Sequence, residues 1–585
     1  MTLLGDRPAA AAPPPPPAAR PSRRSWRPSG RVVLTVVVVA ILLYLVAGPL
    51  IMLVGSSFQD SSTGLPLSAG AEWTLENYTR VFGNEQTYTA LGNTLIFAGG
   101  ALAIAFTLAV LFAWLIERTD IPFPNASFVL LVAPSGMPFL IVSIAWSLLL
   151  NPTNGLINQL LDTWFGFTVN IYSMAGMIFV QGIGMVPITF LLVSAAIKGM
   201  SSSLEDAAST SGATLPQTLR RVTVPMMTPA LLGAFVYLIV NVVDTLDVPL
   251  VLGLPGHEIV LSSQVYLTSR PPAGLPDYGA ASVYGILMIG MVIVPLLVYN
   301  RLIGRANAYT TIGSRARHPK KLQLGIWRYP ALGLLGLYVL IGFVLPFLVL
   351  IWVSIQPFYE GISQAAVDRI TFDGYRDIFS SGAVGEAFLN TLILGAAAGI
   401  TAVALATLTS WLIVRSRSRA TWMLDLLAFM PHAFPGVAIG LSISLIYLVL
   451  PIPIYGTIWI VVLAMATQYV SLGTRLTTSG IVQIQETLEK AGATSGAAMR
   501  TVWRRILVPL LRPAFVNAFL LVFLASIQNL TLPLMLQSPD NTVASTLLWG
   551  HWDRGNVTSA AVLSVVMTII TVLAAGFLRN TTRKM

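Results

Sequence analysis

Long apolar runs and short polar segments alternate along almost the whole chain. Each run holds about 20 mostly uncharged residues, the length that a helix needs to cross the roughly 30 Å hydrocarbon layer of a bilayer. The runs therefore predict twelve transmembrane helices. The first six lie near residues 32–54, 91–116, 127–150, 171–195, 229–252 and 280–303, and the second six near residues 328–355, 385–414, 422–450, 455–475, 513–535 and 558–579.

The composition agrees with a polytopic membrane protein of the all-α class. Of the 585 residues, 55% are hydrophobic and only 10% are charged, and the mean hydropathy is +0.76. Soluble enzymes of this length carry more charge and divide into several water-facing domains. The chain has no cysteine, which excludes disulfides, thiolate metal sites and a catalytic cysteine.

The net charge of +10 reflects basic loops on one side of the membrane. Between the sixth and seventh predicted spans, residues 301–328 hold seven Lys or Arg residues and no acidic residue. The positive-inside rule places this segment in the cytoplasm, and even counting of the spans places both termini there. We therefore expect a multi-pass protein of a bacterial cell membrane, surrounded by lipid bilayer, and nucleic acid is not an expected partner.

The N-terminal segment, residues 1–31, contains AAPPPPPAAR and a cluster of arginines. This composition cannot bury a core and predicts a disordered cytoplasmic tail. The apolar run that follows, residues 32–54, is longer than the roughly 7–15 residues of a signal-peptide core. We therefore expect it to remain as the first span.

A polar segment occurs twice. Residues 204–230 read LEDAASTSGATLPQTLRRVTVPMMTPA, and residues 488–514 read LEKAGATSGAAMRTVWRRILVPLLRPA, with 13 of 27 positions identical. Further matches extend over both halves, first at an offset of 297 and later at 284, so the first half has about 13 extra residues near 151–170. Six spans separate the two copies, so each repeat keeps the same orientation, which predicts two parallel six-helix repeats with a pathway between them.

Both copies of this segment resemble the EAA loop in the membrane subunits of binding-protein-dependent ABC importers. The family pattern is EAA, three residues, Gly, nine residues and then I-x-L-P. In the first copy it falls on Asp206, Ala207, Ala208, Gly212 and Pro225. In the second it falls on Lys490, Ala491, Gly492, Gly496 and Pro509. Because the acidic position is Asp206 in one copy and Lys490 in the other, the preceding carboxylates, Glu205 and Glu489, are the matching pair.

The resemblance implies the transmembrane domain of a type I ABC importer with two fused halves. It divides the chain into a tail (1–31), a first permease half (32–303), a basic cytoplasmic linker (304–327) and a second permease half (328–585). Segments that include PHAFPGVAIGLSISLIYL at 431–448 are similar to fused ferric-iron importer permeases. Related fused permeases carry thiamine, aminoethylphosphonate or other small solutes, and the sequence leaves the solute open.

In this family each EAA loop docks in a cleft on one ATP-binding subunit, so two such subunits and an external solute-binding protein are expected partners. We expect Glu205 and the small residues after it to point outward, Gly212 and Gly496 to end the short helix with positive φ, and the Val-Pro pairs to end a second one. None of the five lysines follows a glycine, so the chain lacks a P-loop. The chain is therefore expected to bind no cofactor and to be no enzyme itself, with ATP and Mg²⁺ held by the partner subunits.

Polar residues within apolar runs are candidates for the pathway. Asp244 and Asp247 are three apart in the fifth predicted span, which predicts a shared helical face. They line a route for a cation, or they are hydrated at the outer interface or bonded to neighbouring helices. The matching positions, Gln528 and Thr531, are uncharged. Further candidates are Gln181, Asn241, Gln468, Tyr469 and Asn529.

Two other classes of protein make different predictions. An ion-coupled secondary transporter would explain twelve helices but gives no reason for the duplicated loop. A membrane-embedded enzyme needs clustered His, Asp or Glu residues, whereas the four histidines are scattered at 257, 318, 432 and 551. A metal site is not assignable from the sequence, and His432, between Pro431 and Pro435, indicates a broken helix.

Overall fold

The computed structural model describes residues 30–60, 65–66, 71–199, 207–208, 210–306, 321–416 and 420–584. Within these residues the regular secondary structure is helical, with two isolated β-bridges and no strands, so the predicted all-α class is confirmed. The predicted tail lies almost wholly outside the described residues, as does the centre of the predicted linker.

The helices of the first half follow the predicted runs closely. Their bounds are α1 Gly30–Ser57, α2 Glu76–Gly83, α3 Glu85–Arg118, α4 Pro124–Val132, α5 Phe139–Leu150, α6 Leu156–Phe165, α7 Met174–Gly199, α8 Val224–Asp244, α9 Leu261–Ser269 and α10 Tyr278–Ala306. Short helical turns at Leu215–Thr218, Leu219–Thr223 and Pro249–Gly253 flank α8.

The second half repeats this order of helices. Their bounds are α11 Arg328–Val339, α12 Leu345–Ser354, α13 Asp373–Ser380, α14 Gly382–Arg415, α15 Ala420–Ala433, α16 Gly436–Val449, α17 Ile458–Val482, α18 Glu486–Thr494, α19 Val508–Gln528, α20 Ala544–Asp553 and α21 Val557–Lys584. Short turns at Met499–Val502, Trp503–Leu507 and Thr531–Met535 flank α19.

The repeat is exact at several helix ends. Helix α14 begins and ends 297 positions after α3, and α19 begins and ends 284 positions after α8. Helix α6, Leu156–Phe165, falls in the predicted insertion and accounts for the change of offset. The duplication read from the sequence is therefore present in the backbone.

Ten helices of the described chain are long and apolar enough to cross a membrane, and two further pairs of helices are bent. The predicted spans at 127–150 and 422–450 are present as these pairs, which bend by 90° and 104°, so the described chain has up to twelve spans if each pair counts as one. Pro138 and Pro435 stand at the bends, directly before α5 and α16. A proline lacks the N–H that would continue the preceding helix, which explains the break. The broken helix expected beside His432 is confirmed.

The predicted spans at 229–252 and 513–535 are present, but their helices end earlier than predicted. Helices α8 and α19 end at Asp244 and Gln528, and the next residues, Thr245 and Asn529, have extended ψ angles of 127° and 129°. The carbonyl freed at Thr245 accepts a hydrogen bond from the Ser262 hydroxyl at 2.7 Å. The carbonyl of Asn529 likewise accepts one from the Ser545 hydroxyl at 2.9 Å. Satisfied carbonyls allow a helix to end inside an apolar bundle. Asp244 and Asp247 therefore do not share one helical face.

The first helix of each half packs against the other half. Helix α1 contacts α15 and α16, where the hydroxyls of Tyr44 and Tyr447 lie 2.5 Å apart. Helix α12 contacts α5, and nearby the Tyr359 hydroxyl donates to the carbonyl of Leu148 at 2.6 Å. The halves are thus interlocked, and the space between them is bounded by both.

Candidate transport cavity and coupling loops

A cavity of about 610 Å³ lies between the two halves. Helices α7 and α8 of the first half and α15 and α17 of the second contribute to its wall. Of the predicted pathway residues, Gln181, Asn241, Asp244, Asp247, Gln468, Tyr469 and Asn529 line it. Thr531, at the position that matches Asp247, is also in the wall, whereas Gln528 is outside the lining.

Asp244 is bonded across the interface between the halves. Its Oδ1 accepts a hydrogen bond from the backbone N–H of Gly436, and its Oδ2 accepts one from the Gln468 amide at 3.2 Å. A Cβ atom at position 436 would lie only 3.1 Å from Asp244 Oδ1. The carboxylate can thus approach this backbone because residue 436 is glycine. Of the alternatives that the sequence left open, bonding to a neighbouring helix and lining the cavity both hold for Asp244.

Asp247 stands just beyond the break in the chain. Its Oδ1 is enclosed and has no hydrogen-bond partner in the described structure. The break itself is tied to α7, because the Gln181 amide donates to the Thr245 hydroxyl at 3.2 Å. In the second half, Asn529 instead donates to the Tyr469 hydroxyl at 3.2 Å. The first half thus supplies the acidic part of the wall.

Aromatic and basic residues that were not among the predicted pathway residues also line the wall, together with aliphatic side chains. Tyr237 stacks on His432 at 4.7 Å between ring centroids and an interplanar angle of 17°. Arg475 lies over the ring of Phe429 at 5.0 Å and 3.6 Å from a carboxylate oxygen of Asp425. An arginine within an apolar run is a sequence signal from which Arg475 could have been predicted as a wall residue. Among the described residues, no group of three or more His, Asp or Glu side chains is placed to hold a metal ion.

We call the two EAA-like segments, residues 204–230 and 488–514, the coupling loops, after the role that their resemblance implies. The second contains most of α18 and turns at Gly496, where φ is +79°. Lys490 is exposed at its surface and pairs with Glu486 at 3.1 Å, and Ala491 is exposed beside it. Gly492 faces inward, since a Cβ atom there would lie 3.0 Å from a Val502 methyl group.

Glu489, the match of Glu205, does not point outward as is expected of Glu205. Its side chain is only 6% exposed, and its oxygens accept hydrogen bonds from Arg415 Nε at 2.6 Å and Trp411 Nε1 at 3.1 Å. Arg415 also donates to the carbonyl of Ile484 at 2.7 Å. The buried guanidinium at the end of α14 needs a counter-charge, and Glu489 supplies it. The pair joins α18 to α14.

In the first coupling loop, Ala207, Ala208 and Gly212 are described, and Gly212 has φ +81°. Glu205 and Asp206 lie outside the described residues. The positive φ expected at Gly212 and Gly496 is present in both loops.

The prediction that the Val-Pro pairs end a short helix is wrong. Pro225 and Pro509 lie in the first turn of α8 and α19, each directly after a π-helical turn. The first turn of a helix tolerates proline because its N–H groups need no intrahelical acceptor. The chain therefore runs from the loop into the long helix without a break.

Known proteins resemble this chain over most of its length. A family model described as "Binding-protein-dependent transport system inner membrane component" matches residues 105–307 and 402–585. The ferric transport system permease protein FbpB of Actinobacillus pleuropneumoniae is 26% identical over 547 residues, which cover 91% of this chain and 76% of that protein. The putative ferric transport system permease protein FbpB 1 of Haemophilus influenzae is 25% identical over 516 residues, covering 86% and 78%.

One solved structure with a similar chain is that of a bacterial ABC transporter involved in the import of the acidic polysaccharide alginate. The TM-score is 0.39 at 21% sequence identity, and the match covers 48% of this chain and 96% of that chain.

Proposed function

The chain belongs to the family of binding-protein-dependent transport system inner membrane components, and from that premise we propose that it carries ferric iron into a bacterium. The observation that supports this cargo is the similarity to the ferric permease of Actinobacillus pleuropneumoniae over 91% of the chain. As the family match occurs once in each half, one polypeptide supplies both halves of the permease.

Separate subunits drive the transport in this proposal. Two ATP-binding subunits dock on the two coupling loops and hold ATP and Mg²⁺, and a solute-binding protein delivers the cargo to the opposite face. Both termini are cytoplasmic. The exposed surface of α18, with Lys490 and Ala491, supports this arrangement because small side chains allow close approach of a partner.

Transport proceeds by alternating access of the cavity to the two faces. The cavity wall combines helices of both halves, so a relative movement of the halves changes its shape. The Glu489–Arg415 pair gives the docked ATPase a rigid connection to α14, because both groups are almost fully buried. Closure of the ATPase subunits thereby moves the long helices, and the carboxylates of Asp244 and Asp247 offer oxygen ligands to a hard cation on its way.

Measurement of ATP hydrolysis with defined cargoes tests the proposal. We expect the complete importer in lipid nanodiscs to respond when ferric ion is loaded on the binding protein, with a stimulation of about fivefold or more, the lower range of ordinary coupling between sites. Thiamine and aminoethylphosphonate serve as comparisons. If thiamine or aminoethylphosphonate stimulates hydrolysis and ferric ion does not, that solute is the cargo instead. If no ATPase associates with the chain, an ion-coupled transporter is favoured.

Filling the cavity is expected to block uptake. Ser471 lines the cavity on α17 and is 6% exposed, so Ser471→Trp places an indole in the route. We expect uptake of ⁵⁵Fe into proteoliposomes to fall to background while the ATPase subunits still co-purify. Ser479→Trp, an exposed position on the same helix, is the matched control. Normal uptake by the Ser471 variant would place the route elsewhere.

A further inference from the structure

The N-terminus of α16 in the second half is capped by a side chain from the first half. Helix α16 begins at Gly436 after Pro435, and Asp244 accepts the backbone N–H of Gly436. The first N–H groups of a helix have no intrahelical acceptor, and a carboxylate there is favoured by the helix dipole. The cap therefore ties the end of α8 to the broken helix of the other half.

The residues that make this bond are all different at the matching place in the repeat. Phe139 takes the position of Gly436 at the start of α5, and Gly184 takes that of Gln468. The Phe139 ring covers Gly184 so closely that a Cβ atom there would lie 2.5 Å from the ring. The residue that matches Asp244 is Gln528, which has no charge. Of these two matching positions, only the one at Asp244 therefore has a carboxylate that bonds the other half.

This bond lies at the end of the cavity remote from the coupling loops. Asp244 ends α8, which starts next to the first coupling loop and spans about 30 Å at 1.5 Å per residue. The cavity runs along α7 from Gln181, which is tied to the break after Asp244, to Leu192 near the coupling-loop end of the helix. While the bond persists, α8 and α16 stay together at that end of the cavity.

We propose that Asp244 is a latch that holds the two halves closed at the end of the cavity remote from the coupling loops, and that a cation in the cavity opens it by binding the same carboxylate. The first part stands on the contacts alone. The second part rests on the proposed function, since it takes the cargo to be a hard cation.

The residues around Asp244 allow a cation to replace the Gly436 N–H on its carboxylate. Asp247 brings a second carboxylate, one oxygen of which is enclosed without a hydrogen-bond donor. Carboxylate oxygens are the ligands that hard cations prefer, and an enclosed oxygen without a donor gains most from one. A cation between Asp244 and Asp247 competes with the Gly436 N–H, and the end of α16 is released. The latch thereby links arrival of cargo to separation of α8 from α16.

Two substitutions at one position separate the roles of the hydrogen bond and the charge. Asp244→Asn keeps a side-chain oxygen that accepts the Gly436 N–H but removes the charge, whereas Asp244→Ala removes both. Gly436→Ala keeps the carboxylate and pushes it from the backbone, since its Cβ atom would lie 3.1 Å from Oδ1. Asp377→Asn removes an exposed carboxylate on α13 as the matched control. ATP hydrolysis by the complete importer in nanodiscs is measured without cargo and then with ferric ion on the binding protein.

We expect Asp244→Ala and Gly436→Ala to raise hydrolysis without cargo by about fivefold or more, because the ATPase subunits no longer close against the latch. A merely structural defect lowers hydrolysis instead. Asp244→Asn is expected to lose the response to ferric ion, and Asp377→Asn to match the unaltered chain both without and with cargo.

Unchanged hydrolysis without cargo in both alanine variants would overturn the latch. A full ferric response by Asp244→Asn would overturn the role of the charge. If the unaltered chain itself does not respond to ferric ion, the proposed cargo fails, and the rates without cargo still decide whether the latch exists.

Discussion

Replacing Glu489 with alanine is expected to abolish transport and to destabilise the second coupling loop. The change leaves the Arg415 guanidinium, whose side chain is 8% exposed, without its carboxylate. Loss of one partner from a buried ion pair costs about 3–5 kcal/mol because the remaining charge is uncompensated. The hydrogen bond from Trp411 is lost as well. Uptake of ⁵⁵Fe, co-purification of the ATPase and thermal unfolding in nanodiscs measure the effect.

A double replacement separates stability from transmission. Apolar groups in place of both members of a buried ion pair often leave stability unchanged, so Glu489→Leu with Arg415→Met is expected to restore folding. If the pair transmits force from α18 to α14, this variant folds, still binds the ATPase and transports poorly. Restored uptake would assign the pair a purely structural role.

The exposed neighbour of this pair provides the control. Glu486 bonds Lys490 at 3.1 Å, and their side chains are 45% and 64% exposed. Exposed ion pairs of this type contribute at most about 1 kcal/mol, and commonly less. Glu486→Ala is therefore expected to unfold within a few degrees of the unaltered chain, so a comparable loss in both variants would contradict the special role of Glu489.

The inward position of Glu489 is a feature that the sequence alone does not predict, whereas it does predict the long helices. Composition and hydropathy report how apolar a segment is, and they located every long helix of the described chain. The duplicated segment likewise located both coupling loops, and the change of offset located α6. These features are local or repeated, so a single amino-acid sequence is enough to find them.

Features that depend on distant contacts were missed for a physical reason. Asp244 is separated from Gly436 by 192 positions, and their bond arises only when α8 meets the broken helix of the other half. The bend at Pro138 is equally hidden, because a hydropathy average is insensitive to backbone direction, whereas the prolines beside His432 indicated the bend at Pro435. The inward position of Glu489, which the sequence gives only as the match of Glu205, depends on Arg415, 74 positions earlier. In each case the side chain is placed by tertiary packing.

Proline in place of Gly212 or Gly496 is expected to uncouple transport. These glycines have φ values of +81° and +79°, whereas a proline ring fixes φ near −65°. The turn that follows the coupling helix then has to rearrange, and the surface offered to the ATPase changes with it. We expect both variants to insert in the membrane and to lose ⁵⁵Fe uptake, with reduced recovery of the ATPase on co-purification.

Graded substitutions at the same positions isolate the backbone as the cause. A Cβ atom at either glycine meets no heavy atom within 4 Å, so alanine differs only in the cost of positive φ, about 1–2 kcal/mol. Asparagine tolerates the left-handed region better. Uptake is therefore expected to fall in the order Gly, Asn, Ala, Pro at both positions. Normal uptake by both proline variants would show that the turns do not set the coupling surface, and an equal loss with asparagine would assign the effect to the side chain.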